Sequence, residues 1–110
     1  MMADILMSIT NLSEILKAIN NPVRMDILRW LKDPKNNFNV SEQLVDAEIE
    51  DVCVSIIQEK SQLSQSTVSS YLTILQRVGL VNSKRIGSWT YYKRNDENID
   101  RFTEALSQIL

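Results

Sequence analysis

Histidine is absent from the 110 residues, cysteine occurs once, and glycine and proline occur twice each. Without histidine, and with no thiol or hydroxyl beside an evident base, an enzyme is the least expected class. Two glycines leave no glycine-rich phosphate loop. One cysteine cannot build an internal disulfide framework, which fits a reducing cytoplasm. No apolar run approaches the roughly 18 to 20 residues that a membrane span needs. The first residues are apolar, but Asp4, Ser8, Asn11 and Glu14 interrupt them, and neither a basic start nor a small-residue cleavage site follows. That argues against a secretory signal. Internal repeats and low-complexity segments are missing too. The expectation is a cytoplasmic single domain over residues 1–110, small enough that pairing with a second copy would help it bury apolar surface.

Negative charge is also missing from one stretch, and this says more than the net charge of -2. Residues 1–59 carry five basic and ten acidic side chains. Residues 60–95 carry Lys60, Arg77, Lys84, Arg85, Lys93 and Arg94 with no Asp or Glu, and the tail from Asp96 returns to -3. Charges beyond about 8 to 10 Å are screened at physiological salt, so a local positive field, and not the sum, decides whether phosphates are attracted.

The apolar spacing lays out the elements. Ile5, Leu6, Ile9, Leu12, Ile15, Leu16 and Ile19 recur at steps of three and four, which predicts an amphipathic first helix with a break near Thr10-Asn11. Asn21 and Pro22 read as a cap followed by proline at the first helical position. Val23, Ile27, Trp30 and Leu31 form the inner stripe of a second helix that Asp33-Pro34 ends. Lys35 to Asp51 reads as a surface insertion, with an acidic stretch (Glu42, Asp46, Glu48, Glu50, Asp51) that could hold a short helix. Val52 to Lys60 resumes helical spacing, with Val54, Ile56 and Ile57 inward. Ser64 then caps a further helix, Leu63 closes on Val68 as a hydrophobic staple, Val68, Leu72, Leu75 and Val78 face inward, and Gly79 stops it. Leu80–Ile86 and Trp89–Arg94 flank Gly87-Ser88, a two-residue loop suited to a type II′ hairpin. Ile99, Phe102, Leu106, Ile109 and Leu110 share one face of a last helix. The predicted fold is mostly α with a β-hairpin wing, a winged helix-turn-helix.

The helix from Ser64 lacks charge yet exposes Gln65, Ser66, Thr67, Ser69 and Ser70. Such side chains supply the donors and acceptors that read base edges in a major groove. Arg77 on that helix and Lys84, Arg85, Lys93 and Arg94 in the hairpin are the candidates for phosphate or minor-groove contacts. The first and last helices carry more aliphatic surface than a domain of this size covers internally. Ile5, Ile9, Leu12, Leu16, Ile99, Phe102, Leu106 and Ile109 are therefore expected at a homodimer interface. Two reading helices about 34 Å apart would fit an operator that is an imperfect inverted repeat of double-stranded DNA.

Three segments at these separations, Leu16-Lys-Ala-Ile-Asn-Asn-Pro-Val-Arg-Met-Asp-Ile-Leu28, Leu63-Ser-Gln-Ser-Thr-Val-Ser69, and Val78-Gly-Leu-Val81 with Gly87-Ser-Trp-Thr-Tyr-Tyr92, closely resemble the ArsR/SmtB-type repressors. The likeness covers nearly the whole chain except Lys35 to Asp51. It implies a bacterial homodimeric repressor that sits on an operator until an inducer releases it. Where family members commonly have glycine in the turn, this chain has Gln62. Asp51-Val-Cys-Val-Ser55 is similar to the metal box of the arsenic and cadmium sensors with the second cysteine replaced by Ser55. Soft metals are held by several thiolates, and Asp100 and Glu104 alone would make a weak oxygen site, so no metal and no cofactor is expected and the inducing signal is non-metal or unknown.

Cys53 reads first as a buried space-filler and second as an oxidation sensor. Alternation along the hairpin predicts Trp89 and Tyr91 packed on one face and Tyr92 on the other. The competing functions are a protein-interaction module on the same scaffold and a redox-responsive regulator acting through Cys53.

Overall fold

The computed structural model describes residues 8–39 and 51–110. Ile5, expected at the dimer interface, and the acidic stretch from Glu42 to Glu50 with its expected short helix lie outside the described residues. Helix α1 (Ile9–Ile19) is set by its cap: Ser8, in extended backbone, accepts from the Asn11 N–H at 3.0 Å. The interruption expected near Thr10-Asn11 falls two residues earlier, at the extended Ser8, and Thr10 and Asn11 belong to the first turn of the helix. It buries Leu12, Ile15 and Ala18. In α2 (Pro22–Lys32) the Asn21 side chain accepts from Val23 and Arg24 at 2.9 and 3.0 Å, and Pro22 takes a position that has no amide to satisfy.

Pro34 does not only end α2. It opens a single turn, α3 (Pro34–Asn37), where Asn37 Nδ2 donates to the Asp33 carbonyl at 2.9 Å. The turn swings Phe38 into the core, edge-on to Trp30 at 6.1 Å between ring centroids. The stretch read as a solvated insertion is therefore anchored at both described ends, by Phe38 on one side and by buried Asp51 and Val52 on the other.

A further correction concerns Val52 and Cys53, which were expected to be helical. They form a two-residue strand, β1 (Val52–Cys53), and the helix α4 (Val54–Ser61) starts after them. The cause is non-local: the outer edge of a hairpin offers free backbone groups, and β1 pairs with it antiparallel as Val52↔Tyr92 and Cys53↔Tyr91. Helix α5 (Gln65–Arg77) follows, then β2 (Val81–Ile86), β3 (Trp89–Arg94) and α6 (Asp96–Ile109). The sheet order is β1-β3-β2, with β2 and β3 in register from Val81↔Arg94 to Ile86↔Trp89. Gly87, at φ +62°, supplies the positive φ that a type II′ loop needs at its first central residue.

The core joins every layer: Leu12 and Ile15 of α1, Ile27 and Leu31 of α2, Val52, Ile57 of α4, Val68, Leu72 and Leu75 of α5, Leu80, Val81, Tyr92, and Phe102 and Ala105 of α6. Two residues expected to meet a second chain, Leu12 and Phe102, are thus buried inside this one. Ile99 and Leu106 are half-buried against the core, while Ile9, Leu16 and Ile109 remain exposed. Helical period alone cannot separate the inner and outer edges of one apolar stripe.

Two left-handed positions frame α5 with opposite consequences. Gly79 (φ +82°) closes the helix with its N–H on the Gln76 carbonyl, and Leu80 N–H reaches the Leu75 carbonyl at 2.9 Å. A Cβ at Gly79 would sit 2.6 Å from Asn98 Nδ2, which donates to the Gly79 carbonyl at 2.9 Å. Gln62, at φ 59° and ψ 24°, occupies the same backbone region with a side chain that disfavours it. Gly79→Ala is expected to destabilise the fold by about 1–3 kcal/mol, and Gln62→Gly to stabilise it by up to about 1 kcal/mol. Denaturant unfolding of both variants checks the opposite signs.

Candidate nucleic-acid interface

Helices α4 and α5 form the helix-turn-helix. The turn is held locally: Gln62 N–H donates to the Gln58 carbonyl at 3.0 Å, Ser61 Oγ to the same carbonyl at 2.9 Å, and Leu63 N–H to Ser61 Oγ at 3.3 Å. Ser64 then caps α5, accepting from Thr67 N–H at 3.2 Å while its hydroxyl donates to Thr67 Oγ1 at 2.9 Å. Leu63 packs against the core that holds Val68. Because Val68, Leu72 and Leu75 are fully buried, the opposite side of α5 must face out.

That outer face carries Ser66, Ser70 and Arg77, and Gln65, which shares the side of Val68 and Leu72, is exposed because it opens the helix; all four are exposed, as expected. Thr67 and Ser69 are half-buried, and Thr67 is engaged in the cap, so both offer less to a partner than their neighbours do. Two exposed residues were missed, Thr73 and Gln76. The same period finds them: Ser66, Ser70, Thr73 and Arg77 form one row along the helix, and Gln76 continues the row of Gln65 and Ser69. Thr73 Oγ1 turns back to the Ser69 carbonyl at 2.9 Å, which leaves Gln76 as the freer of the two. Arg77 lies about 18 Å along the axis from Gln65, at 1.5 Å per residue, beside Asn11 and Ile15 of α1. Its place is at the far end of the helix from the cap.

The wing sorts its cations by strand alternation. Tyr92 lies in one cross-strand row with Val52 and Ser83, and this face packs on the core. Tyr91 lies in the other row, with Cys53 and Lys84. Lys84 and Lys93 therefore project on the outer face, and Arg85 on the core-side face beyond the point where the core ends. Lys84, Arg85 and Lys93 are exposed.

Arg94 departs from the expectation. Its side chain is 15% exposed, with Nε on Asp96 Oδ1 at 2.9 Å and Nη1 on the Leu28 carbonyl at 3.3 Å, so it ties β3 and the start of α6 to α2. Trp89 departs as well. It was expected to pack beside Tyr91, yet it is 49% exposed, whereas Tyr91 and Tyr92 are both buried.

Arg24 is a second residue that composition alone does not reveal. Its Nε donates to the Ala18 carbonyl at the end of α1, and its guanidinium carbon lies 5.1 Å from the centre of the Tyr71 ring on α5. Lys60 stands over Trp30 in the same way, at 5.3 Å.

Cys53 is buried, with Sγ 3.3 Å from Ser55 Oγ and Tyr91 as its cross-strand neighbour. One thiol beside a hydroxyl does not fit a soft-metal thiolate site. Among the described residues no three His, Cys, Asp or Glu side chains gather as metal ligands, and no helix is long and apolar enough to cross a membrane.

No family model matches the chain. The uncharacterized HTH-type transcriptional regulator YbzH of Bacillus subtilis is 46% identical over 93 residues, which cover 84% of this chain and 92% of that relative. The putative arsenical resistance operon repressor ArsR2 of Halobacterium salinarum is 31% identical over 97 residues, 88% of this chain and 66% of that one. In solution, the homodimeric winged helix-turn-helix DNA-binding domain of a possible ArsR-family transcriptional regulator from Mycobacterium bovis has the same fold, with a TM-score of 0.62 over 91% of this chain and 77% of that chain at 24% identity.

Burial raises the Tyr91 hydroxyl above its ordinary pKa, helped by the Cys53 thiol, and burial alone raises Tyr92. A raised phenol favours the protonated fold, so the contribution of each ring is intact below its unfolded pKa near 10 and is lost as pH climbs through the higher folded value. Stability measured by denaturant is expected to fall above about pH 10, and Tyr91→Phe and Tyr92→Phe to flatten that fall. Parallel curves at neutral pH separate this from any loss of packing.

Proposed function

The chain belongs to the ArsR-type winged helix-turn-helix regulators of transcription, and from that premise we propose that it acts as a homodimeric repressor on an imperfect inverted repeat. An inducer that is not a metal releases it. The observation that carries the reading is the exposed start and outer face of α5. Gln65, Ser66 and Ser70 stand exposed near a capped helix start, with no charge among them and a fully buried stripe behind them. An amide offers a bidentate match to adenine N6 and N7, and hydroxyls can donate or accept at any base edge. Cations lie at the margins, Arg77 at the far end of the helix and Lys84, Arg85 and Lys93 on the wing, where phosphates would flank the groove.

Pairing is supported by the apolar side chains that this chain leaves uncovered. Ile9 and Leu16 on α1, and Ile109 and Leu110 at the end of α6, are between 42% and 93% exposed. A second copy would take them out of water, and its symmetry would set the spacing between reading helices. An inducer must bind the DNA-incompetent arrangement more tightly than the competent one, since equal affinity shifts nothing.

Binding to duplex DNA across a salt series tests the roles residue by residue. Arg85→Ala is expected to lower the slope of log affinity against log salt by about one unit. Arg94→Ala should leave that slope alone and lower the melting temperature instead. Gln65→Ala is expected to change the bases recovered in a selection from random duplexes, by about 1–3 kcal/mol of discrimination at one position in each half-site. Sedimentation at micromolar protein should show a dimer, which Leu16→Asp combined with Ile109→Asp converts to a monomer that binds DNA weakly. A wild-type monomer would overturn the symmetric model.

A further inference from the structure

We propose that Trp89 is a DNA-contacting residue of the wing, its indole laid against the sugar walls of a minor groove in an A·T-rich flank of the site. The proposal rests on the DNA-binding reading above and adds a residue and a base preference to it.

Four observations carry it. Trp89 is half exposed although the two tyrosines that follow it on β3 are buried. The reason is the length of β1, whose pairing with β3 stops at Cys53↔Tyr91, so among the described residues no strand reaches the outer flank of Trp89. Among the described residues no ring or cation stacks on it. The backbone that carries the indole is held in register: Trp89 pairs with Ile86 next to the two-residue loop, and buried Tyr91 anchors the strand two residues on. A large ring left in water at a hairpin tip loses apolar contact that an ordinary core position would give it.

The charge pattern identifies the partner. Between residues 60 and 95 there are six cations and no carboxylate; Lys84 is exposed on the face of Trp89, and Arg85 is exposed on the other face, one residue from the Ile86–Trp89 pair. A hairpin tip that presents a flat apolar ring with cations on both faces suits a polyanion that has apolar faces between its charges. In a duplex minor groove the deoxyribose walls supply those faces. The floor presents adenine N3 and thymine O2, which accept from the indole N–H in either orientation of the pair. Narrow A·T tracts also concentrate the negative potential that would draw Arg85 in. Apolar side chains entering a minor groove are an established means of gripping DNA.

The test uses the full chain and two duplexes of about 30 base pairs, near three helical turns, one alternating dA and dT, the other alternating dG and dC. Trp89→Ala should weaken binding to the A·T duplex roughly tenfold, as losing one aromatic contact does, with the salt slope unchanged because no ion is released at this contact. Trp89→Phe should recover part of the loss. The chain has two tryptophans, so Trp30→Phe leaves Trp89 as the only indole, and its emission should be quenched more by the A·T duplex than by the G·C duplex. If Trp30→Phe fails to fold, the gel shifts of the Trp89 variants decide alone.

Wild-type affinity in Trp89→Ala, or emission indifferent to saturating DNA, overturns the contact. So does emission that responds to phosphatidylglycerol vesicles or to self-association in the absence of DNA, because the ring would then serve another partner. If the wild-type chain binds neither duplex at low salt, the DNA-binding reading itself fails and takes this proposal with it.

Discussion

Burial of Val68, Leu72 and Leu75 against the core of helices α1, α2 and α4 and strand β2 fixes the rotation of α5, and that rotation decides which side chains the protein shows to a groove. Each of these aliphatic side chains is worth about 1.5–3 kcal/mol when removed from water. A roll of the helix by one position would replace them with Ser69, Thr73 and Gln76 in one direction, which recover none of it, and with Thr67, Tyr71 and Ile74 in the other, which fit the space of none of the three. The hydroxyls and amides outside are therefore held in place by what lies beneath them. The length of the helix is fixed as firmly. Ser64 satisfies its start, the left-handed Gly79 satisfies its end, and Asn98 of α6 reaches over to hold the Gly79 carbonyl.

Strand β3 joins two tasks that pull in different directions. It is the central strand of the sheet, so its middle and base must be buried: Tyr92 faces the core, Tyr91 the opposite row, and Arg94 is drawn to the Leu28 carbonyl. Its first residues extend past β1 into the tip, where among the described residues Trp89 and the cross-strand Arg85 and Ile86 have no third strand beside them. The point at which β1 turns into α4 thus sets where scaffold ends and contact surface begins. Cys53 sits at that junction, which accounts for its burial.

What could be read from the sequence was whatever is local. The caps at Asn21 and Ser64, the stop at Gly79, the Gly87-Ser88 loop and the stripe of α5 are each decided within a few residues, and the structure has them where the pattern put them. What escaped was non-local. Two residues of strand have no period, and only the hairpin edge some 40 positions later makes Val52 and Cys53 extended. Arg94 has the composition of a surface cation, and its burial depends on a carbonyl 66 residues away. Alternation correctly placed Trp89 and Tyr91 on one face, yet it contains nothing about how far the neighbouring strand runs, so it could not separate the exposed ring from the buried one. Thr73 and Gln76 are different, because the helical period already contained them.

The contact of Arg24 with Tyr71 shows how the two ends of the molecule communicate and how little one contact can do. Arg24 bonds the last turn of α1, which carries exposed Ile9 and Leu16, and lies over a ring on the reading helix. A partly exposed cation over an aromatic face is worth about 0.5–1 kcal/mol. Moving a population from mostly competent to mostly incompetent takes about 5.5 kcal/mol of differential affinity. That single link cannot carry a release signal. The two helices are coupled more strongly by Leu12 and Ile15 of α1, which pack in the core that also seats Leu72 and Leu75, so α1 and α5 move together or not at all. In the dimer proposed above, a ligand that released DNA would then act on the spacing between the two copies, which exposed apolar side chains on α1 and α6 would set, more readily than by bending the reading helix within one of them.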